Sequence, residues 1–368
     1  MTGSVSRPRA DPAPTGQETA IALAEAGTHE DLRRALLECL RVAESVSADP
    51  RRFRDEVRWP LVVGLLQRAR HHRVQLEGGL VFEVGTESRI ERALLLSGDR
   101  HPDHVWEPQT TRLLVRLGRE AQAVVIGGAY IGDQALPVAD AMARAGRGGF
   151  VLAYEPMPSA FDRLKRNIQL NGLENVRAFP LALWDRDAAV SLDGPAALAS
   201  TQELKADETG GAVAVTLDRH LTELGIEDVG VIMLDLEGGE ERALHGARER
   251  LARPPGTAPH AIFEVHRSYV DWSSGLERAE PVMFMESMGY RLFAIRDFHD
   301  NVRMSARPIE VVPVDSVYLE GPPHGFNLFA TKDPTLVERL DLRIVRGVSP
   351  KLLADRDPAL HHPLDGLP

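Results

Sequence analysis

The stretch of this chain with the plainest chemical content is Val125-Ile126-Gly127-Gly128-Ala129-Tyr130-Ile131-Gly132, an apolar run entering a glycine-rich turn and then a helical pattern. Small residues in such a turn let the backbone approach a ligand closely, and the helix that follows presents unpaired N–H groups. Glu155 stands 23 residues after Gly132, at the end of the next apolar run. A carboxylate in that place accepts both hydroxyls of a ribose, so the two features together point to a nucleoside-bearing cofactor. They do not say which one, because Gly127-x-Ala129-x-x-Gly132 is one glycine short of the dinucleotide fingerprint.

Further along, Asp235 and Glu237 lie two apart where an apolar run closes, and Glu264 and His266 lie two apart at the close of another. Side chains two apart on a strand face the same way, which aims them at the rim where open parallel sheets bind ligands. There a carboxylate, or an imidazole with its ordinary pKa of about 6.5, can take a proton from a bound substrate. Asp235 and Glu264 are also hard oxygen ligands that suit Mg²⁺, which lowers the pKa of a bound hydroxyl without a protein base. The competing structural role for each acid is to cap the next turn or pair with an arginine. His71-His72, His299 and His361-His362 lack partners at ligand spacing and read as surface residues.

Such side chains need a rigid scaffold, and from Pro108 onward strands alternate with helices, the mark of a parallel sheet covered on both faces. The pattern predicts strands over Ala123–Ile126, Phe150–Tyr154, Val176–Leu181, Val229–Leu234 and His260–Val265, then a closing antiparallel pair, Tyr290–Ile295 with Phe326–Thr331. Helices are predicted over Pro108–Leu117, Gln134–Ala145, Ser159–Leu170, Glu240–Leu251 and Ala279–Met288. Before this domain, residues 1–18 read as a disordered tail. Residues 19–104 read as an N-terminal, mostly helical appendage: a helix started by Thr28 and Asp31 and ending at Ser45, a helix from Phe53 to about Arg70, and a short hairpin over Val74–Val84. The catalytic domain spans 105–333, and 334–368 is a C-terminal tail. Ser200-Thr201 reads as part of a loop.

In order and spacing, Gly128-Ala129-Tyr130-Ile131-Gly132, Glu155-Pro156, Leu164 to Asn167 with Asn171, Thr216-Leu217-Asp218, Asp235-Leu236-Glu237-Gly238 and Glu264-Val265-His266 resemble the motifs of the FkbM family of methyltransferases. The resemblance covers roughly residues 105–330. It implies an α/β, class I methyltransferase (Rossmann-like) fold with a seven-stranded sheet and S-adenosyl-L-methionine as donor. It also implies O-methylation of a hydroxyl on a sugar, polyketide or other secondary metabolite. Gly128, Ala129, Tyr130, Gly132, Glu155 and Pro156 would then line the donor, with Ala182 and Leu183 as an apolar wall for adenine. From their strand-end placement Asp235, Glu237, Glu264 and His266 are the catalytic candidates, and Trp106 and Glu107, lying close before the domain, are candidates to line the acceptor pocket. Tyr130 departs from the family's usual Asn, and Ile126 from a frequent acid. Two rivals follow. One is a nicotinamide-dependent oxidoreductase, which would need a Tyr-x-x-x-Lys or comparable pair not found here; the other is a degenerate methyltransferase fold serving as a partner subunit.

Composition narrows the setting. A formal net charge of -11 and only four lysines argue against a groove that tracks nucleic-acid phosphates. One cysteine, Cys39, excludes a disulfide framework and points to a reducing compartment, the cytoplasm. No run of about 18 apolar residues occurs, which argues against a membrane span. The expected partner is a small-molecule acceptor. The amphipathic helices of the appendage suit a lid, a specificity element or a homodimer interface equally.

Overall fold

In a computed structural model, the described residues are 16–69, 72–96, 104–193, 200–203, 211–319 and 325–368. They fall into two compact units, one running up to His72 and taking in Val84–Thr86, and one of Arg73–Glu83 with the described residues from Glu87 onward. Of the expected tail, residues 1–15 lie outside the described residues, as does His71, while Gly16 already begins a helix that ends at Ala26.

The first unit is helical. Gly16–Ala26 and Glu30–Ser45 are joined at Thr28, whose hydroxyl donates back to Glu25 O and so closes the first helix instead of starting the second. Asp49 starts the next helix by accepting from Arg52 N at 3.0 Å, and Pro50–Phe53 runs through a wide turn, Arg54–Arg58, into Trp59–Leu66. Buried Glu44 binds Arg54 and Arg58 inside the unit. A Cβ on Gly27 would sit 1.6 Å from Leu65 O, so only glycine lets these helices approach.

The second unit takes in more of the chain than expected, because its division from the first falls near residue 73 and not near 104. Its strands in chain order begin with the paired β1 (His72–Gln75) and β2 (Val81–Val84). Then come β3 (Ala123–Gly127), β4 (Phe150–Tyr154), β5 (Val176–Phe179), β6 (Ala182–Leu183), β7 (Ala188–Asp193), β8 (Ser200–Glu203) and β9 (Ala212–Val215). The remainder are β10 (Val231–Leu234), β11 (His260–Val265), β12 (Arg291–Ile295), β13 (Ile309–Pro313), β14 (Phe326–Thr331) and β15 (Leu342–Ile344).

The main sheet has the order β15-β13-β12-β14-β11-β10-β3-β4-β5. From β5 to β12 it is the expected seven-stranded class I arrangement, with β5, β4, β3, β10 and β11 parallel and the β12–β14 pair antiparallel. β13 and β15 extend it to nine strands. The segment read as a C-terminal tail thus supplies an edge strand, with Leu342 paired to Ile309. Every residue of β3 and β10 is buried, as continuous apolar runs in a two-faced sheet require. Val125, Ile232 and Phe263 share one core with Leu221, Leu244 and Met285 of the flanking helices.

A separate four-stranded sheet, β6-β9-β7-β8, follows β5. Ser200 and Thr201 belong to its strand β8 and not to a loop. The family's motif asparagines are braces. Fully buried Asn167 accepts from Glu83 N at 2.7 Å and donates to Ile131 O at 2.9 Å, and Asn171 binds both N–H and C=O of Val81. They tie the hairpin and the glycine turn to the helix Pro158–Leu170. Thr216 and Asp218 likewise cap helices: Thr216 accepts from Arg219 N, and Asp218 from Glu249 N and Arg250 N.

Candidate functional site

In the main sheet the chain leaves β3 toward β4 on one side, while β10 lies on the other. This reversal makes the carboxyl ends of β3 and β10 the crevice of the fold. Gly128, directly after β3, has φ +76°, and a Cβ there would stand 1.7 Å from Asp235 O at the end of β10. Glycine is therefore required by the neighbouring strand as well as by any ligand. Gly132 has φ +94°, and a Cβ there would meet Leu136. Between them Tyr130 adopts φ 43°, a left-handed conformation that asparagine tolerates better than tyrosine. Its hydroxyl is held by Glu91, which is paired with Arg163.

Glu155 ends β4 and is 5% exposed. Its carboxylate accepts from Tyr130 N at 2.9 Å and Met157 N at 2.8 Å, which locks the turn to the strand end. Each oxygen keeps a further lone pair for a ligand hydroxyl. Burial pushes its pKa up to about 7 in spite of the two N–H donors. Pro156 continues this strand end. Leu183 lies over Gly127, whereas Ala182 is enclosed in a small cluster with Trp184, Val190 and Ala214.

Past β10 the chain turns sharply. Glu237 has φ 52°, Gly238 has φ 106°, and a Cβ on Gly238 would strike the Tyr269 ring. Glu240 holds this turn by accepting from Leu236 N at 2.6 Å and Gly238 N at 3.0 Å. Across from it, Glu264 in β11 is backed by Gly325, where any side chain would overlap its carboxylate. His266 accepts from Ser268 N at Nδ1, 3.0 Å away. That bond occupies the Nδ1 lone pair and leaves the proton of the neutral ring on Nε2.

The site is a concentration of buried and half-buried acid. Burial, then Asp235 and Glu240, pushes Glu237 to about 8; burial raises Asp235 to about 6. Burial followed by Asp235 raises Glu264 well above the usual range, and raises Asp133 to about 7. Among the described residues no lysine or arginine forms an ion pair with Asp133, Asp235, Glu237 or Glu264. Asp235, Glu240 and Glu264 present oxygens within 4.8 Å of one another, as do ligand atoms of Glu241, His245 and Glu280 on the surface. In the first group Glu240 is already committed to the turn.

Sequence reasoning placed Glu107 in an acceptor pocket, read two buried or half-buried histidines as surface and passed over Asp133, Gln134, Asp297 and Asn327. Glu107 precedes the helix Pro108–Gly118 with φ 44° and is 4% exposed. Its side chain does not cap that helix; Asp297, far along the chain, does so by accepting from Gln109 N and Thr110 N. Glu107 Oε2 instead receives Asn327 Nδ2 at 2.8 Å and Gln134 Nε2 at 3.3 Å. His299, read as a surface residue, has Nε2 3.5 Å from Glu107 Oε1 and stacks on Trp106. His361, also read as surface, is 1% exposed, with Nδ1 3.0 Å from Lys351 O. Asp133 and Gln134 could have been found as polar residues abutting Gly132. Asp297 and Asn327 carry no local signal. Of the four non-glycine residues with positive φ among the described residues, Glu107, Tyr130 and Glu237 stand here. Such strain, about 1–3 kcal/mol each, persists where function holds it.

A nucleoside with a cationic tail fits these residues: a carboxylate for a ribose, glycines that admit a close backbone, and acids without counter-ions. Residues 127–292 match the methyltransferase FkbM domain. No curated protein matches significantly. Among solved structures, the chain is similar to precorrin-6y C5,15-methyltransferase from Geobacter metallireducens GS-15, at 12% identity over 61% of this chain and 88% of that one, TM-score 0.35. It is also similar to a SAM-dependent methyltransferase from Agrobacterium tumefaciens (13%, 72% and 70%, TM-score 0.37). A third similarity is to a putative O-methyltransferase from Klebsiella pneumoniae (16%, 61% and 79%, TM-score 0.31).

Proposed function

We propose that this chain, whose residues 127–292 match the methyltransferase FkbM domain, is a methyltransferase that moves a methyl group from S-adenosylmethionine to a hydroxyl of a small molecule. One observation carries this reading: a buried carboxylate at the end of β4, with lone pairs left for ribose hydroxyls, and a set of acids at the ends of β10 and β11 meet at the same crevice. The donor supplies an electrophilic methyl on a sulfonium. Glu155 holds the ribose, and the Gly128–Gly132 turn admits the donor close to the backbone.

Methyl transfer to oxygen is an in-line displacement in which the hydroxyl proton must leave. Glu237 is half-buried at the rim, its pKa raised by burial and by Asp235 and Glu240, and it accepts that proton. Asp235, raised only to about 6, stands beside it and supplies negative potential where positive charge gathers, while Glu264, held well above the usual carboxylate range by burial and by Asp235, contributes a proton-bearing carboxyl. His266, with its proton on Nε2, donates to and orients the acceptor. The proton goes from the acceptor oxygen to Glu237 as the new carbon–oxygen bond forms and the carbon–sulfur bond breaks.

The test is calorimetric titration with S-adenosylhomocysteine and with oxidised and reduced nicotinamide cofactors, followed by tritiated-methyl transfer to panels of hydroxylated and amine-bearing acceptors. Binding of S-adenosylhomocysteine alone with label on an oxygen supports the reading. Binding of a nicotinamide alone, or label only on nitrogen, sinks it.

A further inference from the structure

Two buried amides at the crevice are half-satisfied. Gln134 and Asn327 are 5% and 3% exposed, and both turn their NH2 groups to the one carboxylate of Glu107. Gln134 Oε1 and Asn327 Oδ1 are left with no hydrogen-bond partner among the described residues. Flipping either amide would set its oxygen against the carboxylate. Buried acceptors of this kind are rare, because each forgoes its water without compensation. Each orphaned oxygen shares a carbon with a nitrogen that binds Glu107, so both amide oxygens lie in the neighbourhood of that carboxylate. A carboxylate and two amide oxygens together call for a group with several N–H donors and a positive charge, which is the description of a primary ammonium.

We propose that Glu107, Gln134 and Asn327 form the subsite for the α-ammonium of the methyl donor. The inference rests on the donor reading above and extends it beyond the family motifs. The chain itself links this place to the ribose acceptor. Gln134 follows two residues after Gly132, on the same turn whose Tyr130 N–H binds Glu155. Asp133 bridges the two ends electrostatically, since both Asp235 and Glu155 act on it, and it and Asp235 in turn act on Glu107. A donor whose ribose lies on Glu155 therefore extends its amino-acid end along the turn toward Glu107. Asn327 arrives from β14, where it stands opposite Glu264, so the subsite adjoins the catalytic acids. The left-handed backbone of Glu107 is what sends its side chain inward, and the Asp297 cap frees it from serving the helix.

The experiment compares S-adenosylhomocysteine with 5′-methylthioadenosine, which keeps the nucleoside and the thioether but lacks the amino acid. In Glu107→Gln, affinity for S-adenosylhomocysteine should fall about 10- to 100-fold, the loss of a charge-assisted contact, while affinity for methylthioadenosine stays the same. Gln134→Leu, which removes one orphaned oxygen at similar volume, should show the same selectivity if Glu107→Gln does not fold. An equal loss for both ligands, or no loss for either, overturns the subsite. If the unaltered protein binds neither ligand, the donor reading itself fails and the subsite with it.

Discussion

Replacing Glu155 by alanine separates two roles that the structure gives this carboxylate. As a brace, it accepts the N–H groups of Tyr130 and Met157; as a ligand group, it offers its remaining lone pairs to two ribose hydroxyls. Each hydroxyl bond to an ionised carboxylate is worth about 1.5 kcal/mol net, so losing both removes about 3 kcal/mol, more than about 100-fold in Kd. The brace adds a stability term of about 1 kcal/mol for each backbone N–H left without its acceptor. That loss is partly offset because the variant no longer buries a group whose charged form is disfavoured, as its pKa of about 7 records. Glu155→Ala should thus lower the thermal midpoint slightly and weaken S-adenosylhomocysteine binding strongly in calorimetry. A variant that melts lower yet binds within a few-fold of the unaltered protein would show that Glu155 only braces the turn, and would refute the ribose assignment.

Asp235→Asn should keep S-adenosylhomocysteine binding within about tenfold and reduce turnover by about 100-fold or more, a range typical of lost electrostatic stabilisation; unchanged turnover would move the chemistry away from β10. Because Glu237 must be ionised to accept a proton and sits near 8 in the free protein, kcat/KM should rise with pH up to about 8. Its acid limb should shift to lower pH in Asp235→Asn, and a limb that stays put would exclude Glu237 as the titrating base. The folded-state values of Asp133, Glu155, Glu240 and Asp297, each raised to about 7, mean that the folded chain holds protons more tightly than the unfolded one. Stability of the ligand-free protein should therefore be fullest below about pH 4 as far as these groups are concerned, and fall as pH rises toward about 7; a midpoint that climbs from pH 5 to 7.5 in thermal melts contradicts this. Asn167→Ala strands Glu83 N and Ile131 O in a fully buried place and should destabilise by about 2–4 kcal/mol in urea titration; a change under about 0.5 kcal/mol would remove Asn167 as the brace of the turn.

No described helix is long and apolar enough to cross a membrane, consistent with a chain lacking a long apolar run. The parallel core, the switch-point crevice and the strand-end acids were legible because each is written locally. A run such as Val231–Leu234 is apolar throughout only if both faces are covered, and the residue that ends it must lie at the rim. The glycine turn and Glu155 were legible for the same reason: backbone freedom and a carboxylate at a strand end are properties of a few adjacent residues.

Roles that depend on distant partners could not be read that way. The motif residues Asn167, Asn171 and Asp218 carry the resemblance in sequence and serve as braces and caps in the fold. His299 has no ligand spacing, yet it meets Glu107 across 192 positions, and Asp297 holds the helix that turns Glu107 inward. The residues 334–368, read as a tail, contribute β15 because β13 offered an unpaired edge. Sequence by itself determined the sheet core, the glycine turn at its crevice and the acids at its rim, since those follow from periodicity and local backbone demands. Only the tertiary structure decided which polar groups are paired and which buried acceptors are left over, because hydrogen-bond satisfaction and desolvation are sums over neighbours brought together from the whole chain.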